Sequence, residues 1–269
     1  MKDAITYLHT IVKKLIQIIL ISILVLQVQG QVVINEFGAS NTFTIEDPDY
    51  EESADWVEIH NEDSQPVNLK DYYLTDDFNS PAKWQIQGDA VIGPGGFLLI
   101  WSDGRNSVLH TGFKLSAEGE ELVLSAPDLA LVDSVSFSNQ VSDVSYGRKT
   151  DGSPEWGYFR EPTPGSTNNT QSFQGIVFNI PTFSLRGGFY STSQTLELSS
   201  EFGGSIHFTT DGSEPTENSN LYTGPLELAV TTIVRARIFK TEMIGGPVLT
   251  NSYFINENSA GGKRSALQS

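Results

Sequence analysis

The residues of this chain that are most suggestive of chemistry lie in one acidic stretch, between Glu46 and Asp55. Clustered carboxylates are the ligands that a hard cation such as calcium requires. Counted from Asp47, carboxylates occupy positions one, three, five, nine and twelve of a possible calcium loop, namely Asp47, Asp49, Glu51, Asp55 and Glu58. An EF-hand loop needs glycine at position six for its sharp turn, however, and this chain has Glu52 there. The stretch therefore predicts either a calcium site of another geometry or an ordinary solvated acidic loop.

A second chemical possibility is a metal or acid–base site built on histidine. Glu58 and His60 would share one strand face with Trp56, which places a carboxylate near an imidazole. His60, His110 and His207 nevertheless lie in separate motifs, and no second histidine is close to His60 in sequence. Because a catalytic zinc site usually has three protein ligands, we favour a structural role for all three histidines.

The sequence contains no familiar arrangement for nucleophilic or hydrolytic catalysis. It has neither a Gly-x-Ser-x-Gly elbow nor a His-Glu-x-x-His zinc motif, and no glycine-rich segment continues into Lys-Ser or Lys-Thr. Glu118, Glu120 and Glu121 crowd one short turn, so they are not expected to face each other across a glycosidase cleft. We assign no catalytic residues and do not expect an enzyme.

Aromatic side chains indicate a different kind of site, since exposed rings can stack on sugars. Trp56, Trp101 and Tyr222 are the candidates for a glycan-binding platform. The alternative, which is commoner in β-sandwiches, is that these rings are buried in the core. If they were exposed beside the acidic loop, they would indicate calcium-assisted recognition of carbohydrate.

The first part of the chain has the pattern of β-strands. From residue 31 to about 168, short β-branched or aromatic runs alternate with turn residues, and no amphipathic helical stretch interrupts them. The alternation in 55–60 predicts a half-buried strand, whereas the uniformly apolar run 96–101 predicts a strand covered on both faces. Further strands are expected at 32–36, 72–74, 84–86, 121–125, 131–137 and 144–148.

A second all-β block is expected over residues 181–256. Within 232–239, Val234, Ala236 and Ile238 alternate with Arg235 and Arg237, which predicts another half-buried strand. The pattern breaks over 161–174, which is rich in proline, small and amide residues, and we interpret 169–180 as the linker. Residues 257–269 are polar and small, and we interpret them as a disordered tail.

Residues 1–30 have the pattern of a secretory signal peptide. Lys13 and Lys14 precede an apolar run from Leu15 to Leu26, which is shorter than the ~20 residues needed to span a bilayer. We expect cleavage before Gln31, with an uncleaved anchor as the alternative, and no transmembrane segment after cleavage. The protein would then be exported to the periplasm, the cell surface or the extracellular medium.

Charge and cysteine content exclude several function classes. The 269 residues carry a net charge of −17, and such an acidic field repels phosphate backbones, so nucleic acid is not an expected partner. The chain has no cysteine, which rules out disulfides, thiol catalysis and thiolate metal sites. An envelope protein or glycan is the expected partner, and no cofactor is expected unless the acidic loop binds calcium.

Several spaced motifs in the first block resemble one known domain. They include Val33-Ile34-Asn35-Glu36-Phe37, the run 55–61 (DWVEIHN), the run 69–76 (LKDYYLTD) and the run 109–115 (LHTGFKL). Together they resemble the bacterial lamin-tail domain, an immunoglobulin-like β-sandwich, across nearly all of residues 31–168.

The second block is similar to the small β-sandwich at the C-terminus of chitobiase and hexosaminidase. The residues that carry the similarity are 184–190 (SLRGGFY), 206–216 (IHFTTDGSEPT), 222–225 (YTGP) and 232–237. That family usually has tyrosine in place of His207 or Phe208, a departure that leaves the fold expectation unchanged.

The two resemblances imply an all-β chain, with two immunoglobulin-like β-sandwich domains in tandem after a cleaved signal peptide. Both modules are accessory and non-catalytic in their families, which implies a binding or scaffolding protein of the bacterial cell envelope. The tandem also commonly precedes a spore-coat protein H-type kinase-like domain. An alternative is therefore that this chain is the N-terminal fragment of a larger kinase-like enzyme.

Overall fold

The computed structural model describes residues 32–257. The expected signal peptide and residues 258–269 of the expected tail lie outside this range. The described residues form strands and turns without helices, so none of them belongs to a helix that could cross a membrane. They divide into two compact units. The first unit comprises the chain up to Trp156 together with Glu161–Thr170. The second unit comprises Gly157–Arg160 and the chain from Gln171.

The first unit contains two antiparallel sheets. Its strands are β1 (Val32–Gly38), β2 (Trp56–Asn61), β3 (Val67–Asn68), β4 (Tyr73–Thr75), β5 (Trp84–Gln85), β6 (Val91–Ile92), β7 (Phe97–Trp101), β8 (Gly119–Ser125), β9 (Leu131–Ser138) and β10 (Ser145–Arg148). One sheet has the order β10-β1-β2-β7 and the other the order β5-β4-β8-β9, while β3 pairs with β6. The strands expected from the sequence are all present, within a few residues at each end.

The two sheets pack face to face around one apolar core. Ile34 of β1, Ile59 of β2, and Leu122 and Leu124 of β8 belong to this one core, and all four side chains are completely buried. Across the sheets, the rings of Phe37 and Phe137 have centroids 4.5 Å apart. Burial of apolar side chains in this core is the main contribution to the stability of a sandwich without disulfides.

Two expectations about strand burial are wrong. β2 was expected to be half-buried, but it lies between β1 and β7 and all six of its residues are buried. β7 was expected to be covered on both faces, but it ends its sheet, and Phe97, Leu98 and Leu99 are only half-buried. The side chains of a strand do not show what packs on its faces, and the outer face of β2 is covered by the segment that carries Gly165, whose NH donates to Glu58.

A β-bulge in β1 turns two polar residues away from the core. Ile34 and Phe37 both face the core although they are three positions apart, which a regular strand of period two does not permit. The register between β1 and β2 shifts between Ile34 and Glu36, and this shift directs Asn35 and Glu36 to the outer face. Glu36 then lies opposite Glu58 of β2.

Up to residue 257, the chain contributes thirteen strands to the second unit. They are β11 (Trp156–Phe159), whose first residue belongs to the first unit, β12 (Ser172–Phe173), β13 (Gly175–Ile176), β14 (Thr182–Phe183), β15 (Gly188–Tyr190), β16 (Gln194–Leu196), β17 (Leu198–Ser199), β18 (Ser205–Thr209), β19 (Asn220–Leu221), β20 (Leu226–Leu228), β21 (Thr232–Phe239), β22 (Met243–Ile244) and β23 (Leu249–Ile255). The main sheet has the order β15-β23-β21-β18-β19, and β16-β20, β14-β17 and β13-β22 are two-stranded pairs. Residues 171–180, placed in the linker by their composition, contain β12 and β13.

The core of the second unit lies beneath β21. Val234, Ala236 and Ile238 are completely buried, whereas Arg235 and Arg237 are half-buried, so the alternation expected for this strand is confirmed. Leu196 and Leu228 pack into the same core from the β16-β20 pair.

Candidate functional site

The topology of the first sheet brings two distant loops together. β2 and β7 pair antiparallel, with Trp56 opposite Trp101, so the chain that enters β2 lies beside the chain that leaves β7. The backbone NH of Ser102 donates to the carbonyl oxygen of Asp55 at 2.7 Å. The acidic loop before β2 and the loop after β7 therefore meet at one end of the sheet.

The acidic loop is a closed turn in which Asp47 points inward. The backbone NH of Asp47 donates to the carbonyl oxygen of Glu52, and the NH of Glu51 donates to the carbonyl oxygen of Asp47, both at 2.9 Å. Glu51 adopts a positive φ of 55° to complete this turn. Asp47 is completely buried, and its Oδ1 accepts the backbone NH of Asp49 at 2.9 Å.

Four side chains from the two loops form what we name the acid–imidazole cluster: Asp47, Asp49, Asp103 and His110. The Nδ1 atom of His110 lies 2.8 Å from Oδ2 of Asp103 and 3.7 Å from Oδ2 of Asp47. Its Nε2 atom lies 3.3 Å from Oδ2 of Asp49. Asp47, Asp103 and His110 each offer one ligand atom, and these three atoms lie within 4.8 Å of one another. The cluster can hold a positive charge between its carboxylates.

Protonation in the cluster follows its hydrogen bonds. Burial lowers the pKa of His110, but the bonds to Asp103 and Asp49 and the carboxylate charges outweigh burial and raise it above its usual value. Burial likewise opposes ionisation of Asp103, yet donors from Arg105 and His110 hold the pKa of this carboxyl below its usual value. The surroundings therefore favour an ionised Asp103.

Tyr50 and Arg105 border the cluster on the solvent side. The ring of Tyr50 meets the ring of His110 edge-on, with centroids 5.0 Å apart, and the Arg105 guanidinium lies 4.0 Å from the centroid of Tyr50. Arg105 also pairs with Asp103 and with Glu52, each at 2.7 Å. This pairing connects the two loops and partly offsets the local negative charge.

The five calcium candidates from the sequence do not converge. Asp47 and Asp49 belong to the acid–imidazole cluster, and the Glu51 side chain is exposed. Asp55 instead accepts the backbone NH of Asn41 at 3.1 Å, and burial raises its pKa. Glu58 projects from the outer face of β2 and has partners there, described below. An EF-hand-like set of these five ligands is therefore not formed.

The aromatic candidates are buried or half-buried. Trp56 is 1% exposed and Trp101 is 5% exposed, so neither ring face is open to a sugar, and the platform expected at these two residues does not fit the structure. Gly38 packs directly against the Trp56 ring, where a Cβ would lie 2.7 Å from Nε1. Tyr222 of the second unit is half-buried against that unit's core.

A second group of buried and half-buried polar residues, the outer-face cluster, joins β1 and β2 to the chain that follows β10. It consists of Asn35, Glu36, Glu58, Asp151, Thr163 and Asn168. Oε1 of Glu58 accepts Nδ2 of Asn35 at 2.9 Å, and Oε2 accepts the backbone NH of Gly165 at 2.6 Å. Burial, with the nearby charge of Glu36, raises the pKa of Glu58 to about 8. A strongly raised pKa is one mark of a functional carboxyl, but Glu58 is completely buried and bonded to its own chain.

The outer-face cluster holds the segment after β10 against the sheet. Thr163 donates to Glu36 through its hydroxyl at 3.0 Å, and Asn168 donates to the Arg148 carbonyl at 2.6 Å. Burial raises the pKa of Glu36 as well. Part of the proline-rich stretch 161–174 is thus bound to the first sandwich.

Sequence reasoning missed Asp103 and identified His110 as structural. The available signal was topological: Asp103 lies two residues after the apolar run 96–101, and antiparallel pairing of that run with β2 would have placed it near Asp47. The structural interpretation suits the other two histidines. The Nδ1 atom of His60 lies 3.1 Å from the Gly96 carbonyl oxygen, and that of His207 lies 3.0 Å from the Ser219 carbonyl oxygen.

The fold defines a chain of two all-β units in tandem. Comparison with known families identifies both. Residues 27–139 match the Lamin Tail Domain, and residues 185–250 match the Chitobiase/beta-hexosaminidase C-terminal domain. The chain therefore carries an immunoglobulin-like lamin-tail domain followed by a chitobiase-type C-terminal domain, which confirms the tandem that the sequence motifs indicate. No curated protein matches the chain. All four members of the acid–imidazole cluster lie within the lamin-tail match.

Proposed function

We propose that this protein is a non-catalytic, exported binding or scaffolding protein of the bacterial cell envelope. The observation that carries the proposal is the tandem of two accessory-type β-sandwich domains, with matches at 27–139 and 185–250. The apolar run and flanking lysines of residues 1–30 support export. The acidic net charge of −17 favours a partner other than nucleic acid.

The setting of the most perturbed carboxyl supports a structural role for it. A general acid must reach the proton acceptor on its substrate, but Glu58 is completely buried and bonded to Asn35 and Gly165. Its partners fix the chain around 165 to the outer face of the sheet. The surroundings of Glu58 therefore favour a structural role over a role in proton transfer to a substrate.

Binding to the envelope can be tested by co-sedimentation. The chain from Gln31 to Ser269 is mixed with isolated bacterial sacculi, one portion intact and one treated with protease, and bound protein is measured in the pellet. We expect the chain to pellet with at least one of the two preparations. Binding to both would identify a glycan partner, and binding to intact sacculi alone would identify an attached protein. An unrelated protein of similar acidic charge is the control.

The proposal has two clear ways to fail. A chain that stays in the supernatant with both preparations would contradict envelope binding. Turnover of a phosphoryl or glycosyl substrate, abolished by a point substitution, would contradict the non-catalytic assignment. Export has its own test, in which the full-length chain is produced in a Gram-negative bacterium and the N-terminus of the periplasmic product is sequenced. We expect that product to begin at Gln31.

A further inference from the structure

One buried carboxylate oxygen in the first sandwich has no hydrogen-bond donor. Asp47 is completely buried, and its Oδ1 is bonded to the NH of Asp49, whereas Oδ2 has no hydrogen-bond partner. Leaving such an atom unpaired costs free energy, and native proteins seldom do so without a reason. Oδ2 points at Nδ1 of His110, 3.7 Å away, which is too long for a hydrogen bond. A cation bound at this position would satisfy Oδ2 of Asp47.

The atoms that face this orphan oxygen are spaced as ligands of one ion. In a tetrahedral zinc site with bonds of ~2.1 Å, neighbouring ligand atoms lie about 3.4 Å apart. The distances from Nδ1 of His110 are 2.8 Å to Asp103 and 3.7 Å to Asp47, which bracket that value. All three ligand atoms lie within 4.8 Å of one another. Small side-chain adjustments would therefore complete the coordination.

Asp49 provides the outer partner that a metal-binding histidine normally has. Such a histidine donates its other ring NH to a carboxylate or carbonyl, which fixes the tautomer and the ring orientation. Here Nε2 of His110 faces Oδ2 of Asp49 at 3.3 Å. With the proton on Nε2, the lone pair of Nδ1 faces Asp47 and Asp103. Three electron-rich atoms then converge on one point.

We propose that Asp47, Asp103 and His110 bind one divalent transition-metal ion, and that zinc suits this site best. Zinc accepts histidine nitrogen together with aspartate oxygen in a four-coordinate site. Calcium takes six to eight oxygen ligands, and this cluster offers too few. The fourth position would be filled by water or by a second oxygen of a ligating aspartate. The ion would join the acidic loop to the loop after β7.

The charges around the site are compatible with a bound dication. Two ligating carboxylates would neutralise the ion, and Asp103 keeps its bond from the backbone NH of Arg105 at 2.9 Å. The Arg105 guanidinium also donates to Oδ2 of Asp103 at 2.7 Å. The ion would displace this bond, and the guanidinium would stay paired with Glu52 at 2.7 Å. Asp49 remains outside the coordination sphere as the acceptor for the imidazole NH. No net charge is left buried in the site.

The first test is a metal titration of the wild-type chain. The protein from Gln31 to Ser269, made without a histidine tag and dialysed against chelator, is titrated calorimetrically with zinc, manganese and calcium chlorides. We expect one equivalent of zinc to bind and calcium to give no comparable heat. In the same samples, the ring ¹⁵N resonance of Nδ1 of His110 should shift on zinc addition, because this atom becomes a ligand. The resonances of His60 and His207 should stay in place.

Substitutions separate ligands from neighbours. Asp47→Asn and His110→Gln remove a ligand and should lower zinc affinity by more than the roughly 10- to 100-fold expected for losing the outer partner in Asp49→Asn. Glu51→Gln neutralises an exposed carboxylate of the same loop, and His207→Gln removes a histidine of the second unit. Both of these controls should bind zinc as wild type does.

Three outcomes would overturn the proposal. The first is absence of zinc uptake by the wild-type chain, in which case His110 as an imidazolium between two carboxylates accounts for the cluster. The second is unchanged zinc affinity in folded Asp47→Asn or His110→Gln. The third is zinc uptake without a shift of the His110 resonance, which needs no variant and so remains decisive if the substitutions unfold the domain.

Discussion

Replacing Glu58 with glutamine should change how the stability of the first sandwich depends on pH. Glu58 is completely buried on β2, and burial with the neighbouring Glu36 charge raises its pKa from 4.5 to about 8. Glutamine has the same size and stays neutral at every pH. It therefore mimics the protonated carboxyl that the folded domain favours.

The sign and size follow from linkage between protonation and folding. Between pH 4.5 and about 8 the folded state keeps the Glu58 proton while the unfolded state has lost it. The contribution of Glu58 to wild-type stability is therefore fully present below pH 4.5. It falls as the pH rises toward 8, by up to about 1.4 kcal/mol per pH unit. Integrated from pH 5 to pH 8, the loss from this group is roughly 3–4 kcal/mol. Glu58→Gln lacks this loss.

Tryptophan fluorescence isolates the relevant domain in the assay. The chain has four tryptophans, Trp56, Trp84, Trp101 and Trp156, and all belong to the first unit. Urea unfolding followed at their emission, at pH 5, 6, 7 and 8, gives the unfolding free energy of that unit alone. From pH 5 to pH 8, the unfolding free energy of Glu58→Gln should rise relative to that of wild type by roughly 3–4 kcal/mol. Other titrating groups affect both proteins and largely cancel.

A matched control and a clear negative result complete the test. Glu118→Gln removes a glutamate at an exposed position of the same unit, and its curve should run parallel to that of wild type. If Glu58→Gln also runs parallel to wild type from pH 5 to pH 8, the buried carboxyl does not hold its proton. That result would contradict the raised pKa of Glu58.

Three other predictions concern close contacts in the two units, and Gly203→Ala serves as the control for one of them. Arg148→Met removes the guanidinium that pairs with Asp133 at 2.8 Å and should destabilise the first unit by roughly 3–5 kcal/mol in the same fluorescence assay. Gly204→Ala brings a Cβ within 2.6 Å of a backbone oxygen at φ +86°, whereas Gly203→Ala has open space at φ +71°. In calorimetry, Gly203→Ala should lower the unfolding free energy of the second unit by about 1–2 kcal/mol. Gly204→Ala should lower it by roughly 1–3 kcal/mol more, because of the clash. Equal effects of the two substitutions would contradict the packing argument. Tyr253→Phe removes a 2.8 Å bond from a buried hydroxyl to a carbonyl and should lower stability by about 1–2 kcal/mol, and an unchanged melting temperature would contradict that role.

The strands were predictable because their signals are local. Alternation of side chains and the turn residues between runs operate within a few positions, and they place β8 and β9 correctly from sequence alone. Burial of whole strands was not predictable from the same signals. The composition of β2 resembles that of a half-buried strand, and its outer face is covered by a segment distant in sequence, in which the NH of Gly165 donates to Glu58.

The candidate site was half predictable for the same reason. Asp47 and Asp49 were identified because carboxylates cluster in one short stretch. Asp103 and His110 were not, because their contact with that stretch depends on the pairing of β2 with β7, and Asp49 and His110 are 61 positions apart. Sequence spacing also placed Glu58 among the candidate calcium ligands, but Glu58 belongs to the outer-face cluster.

Buried side-chain amides hold the loops of this cysteine-free sandwich. Nδ2 of Asn61 donates to the carbonyl oxygens of Gln65 and Ile92, at 2.8 and 3.0 Å, and that of Asn41 donates to the Ala54 carbonyl at 2.8 Å. A disulfide at such places would also restrict the unfolded chain, but an amide acts only when the domain is folded. These hydrogen bonds therefore order the loops only while the sandwich is folded, and they are lost when it unfolds. Because the acidic loop between Asn41 and Ala54 carries Asp47, its geometry depends on the packing of the whole sheet.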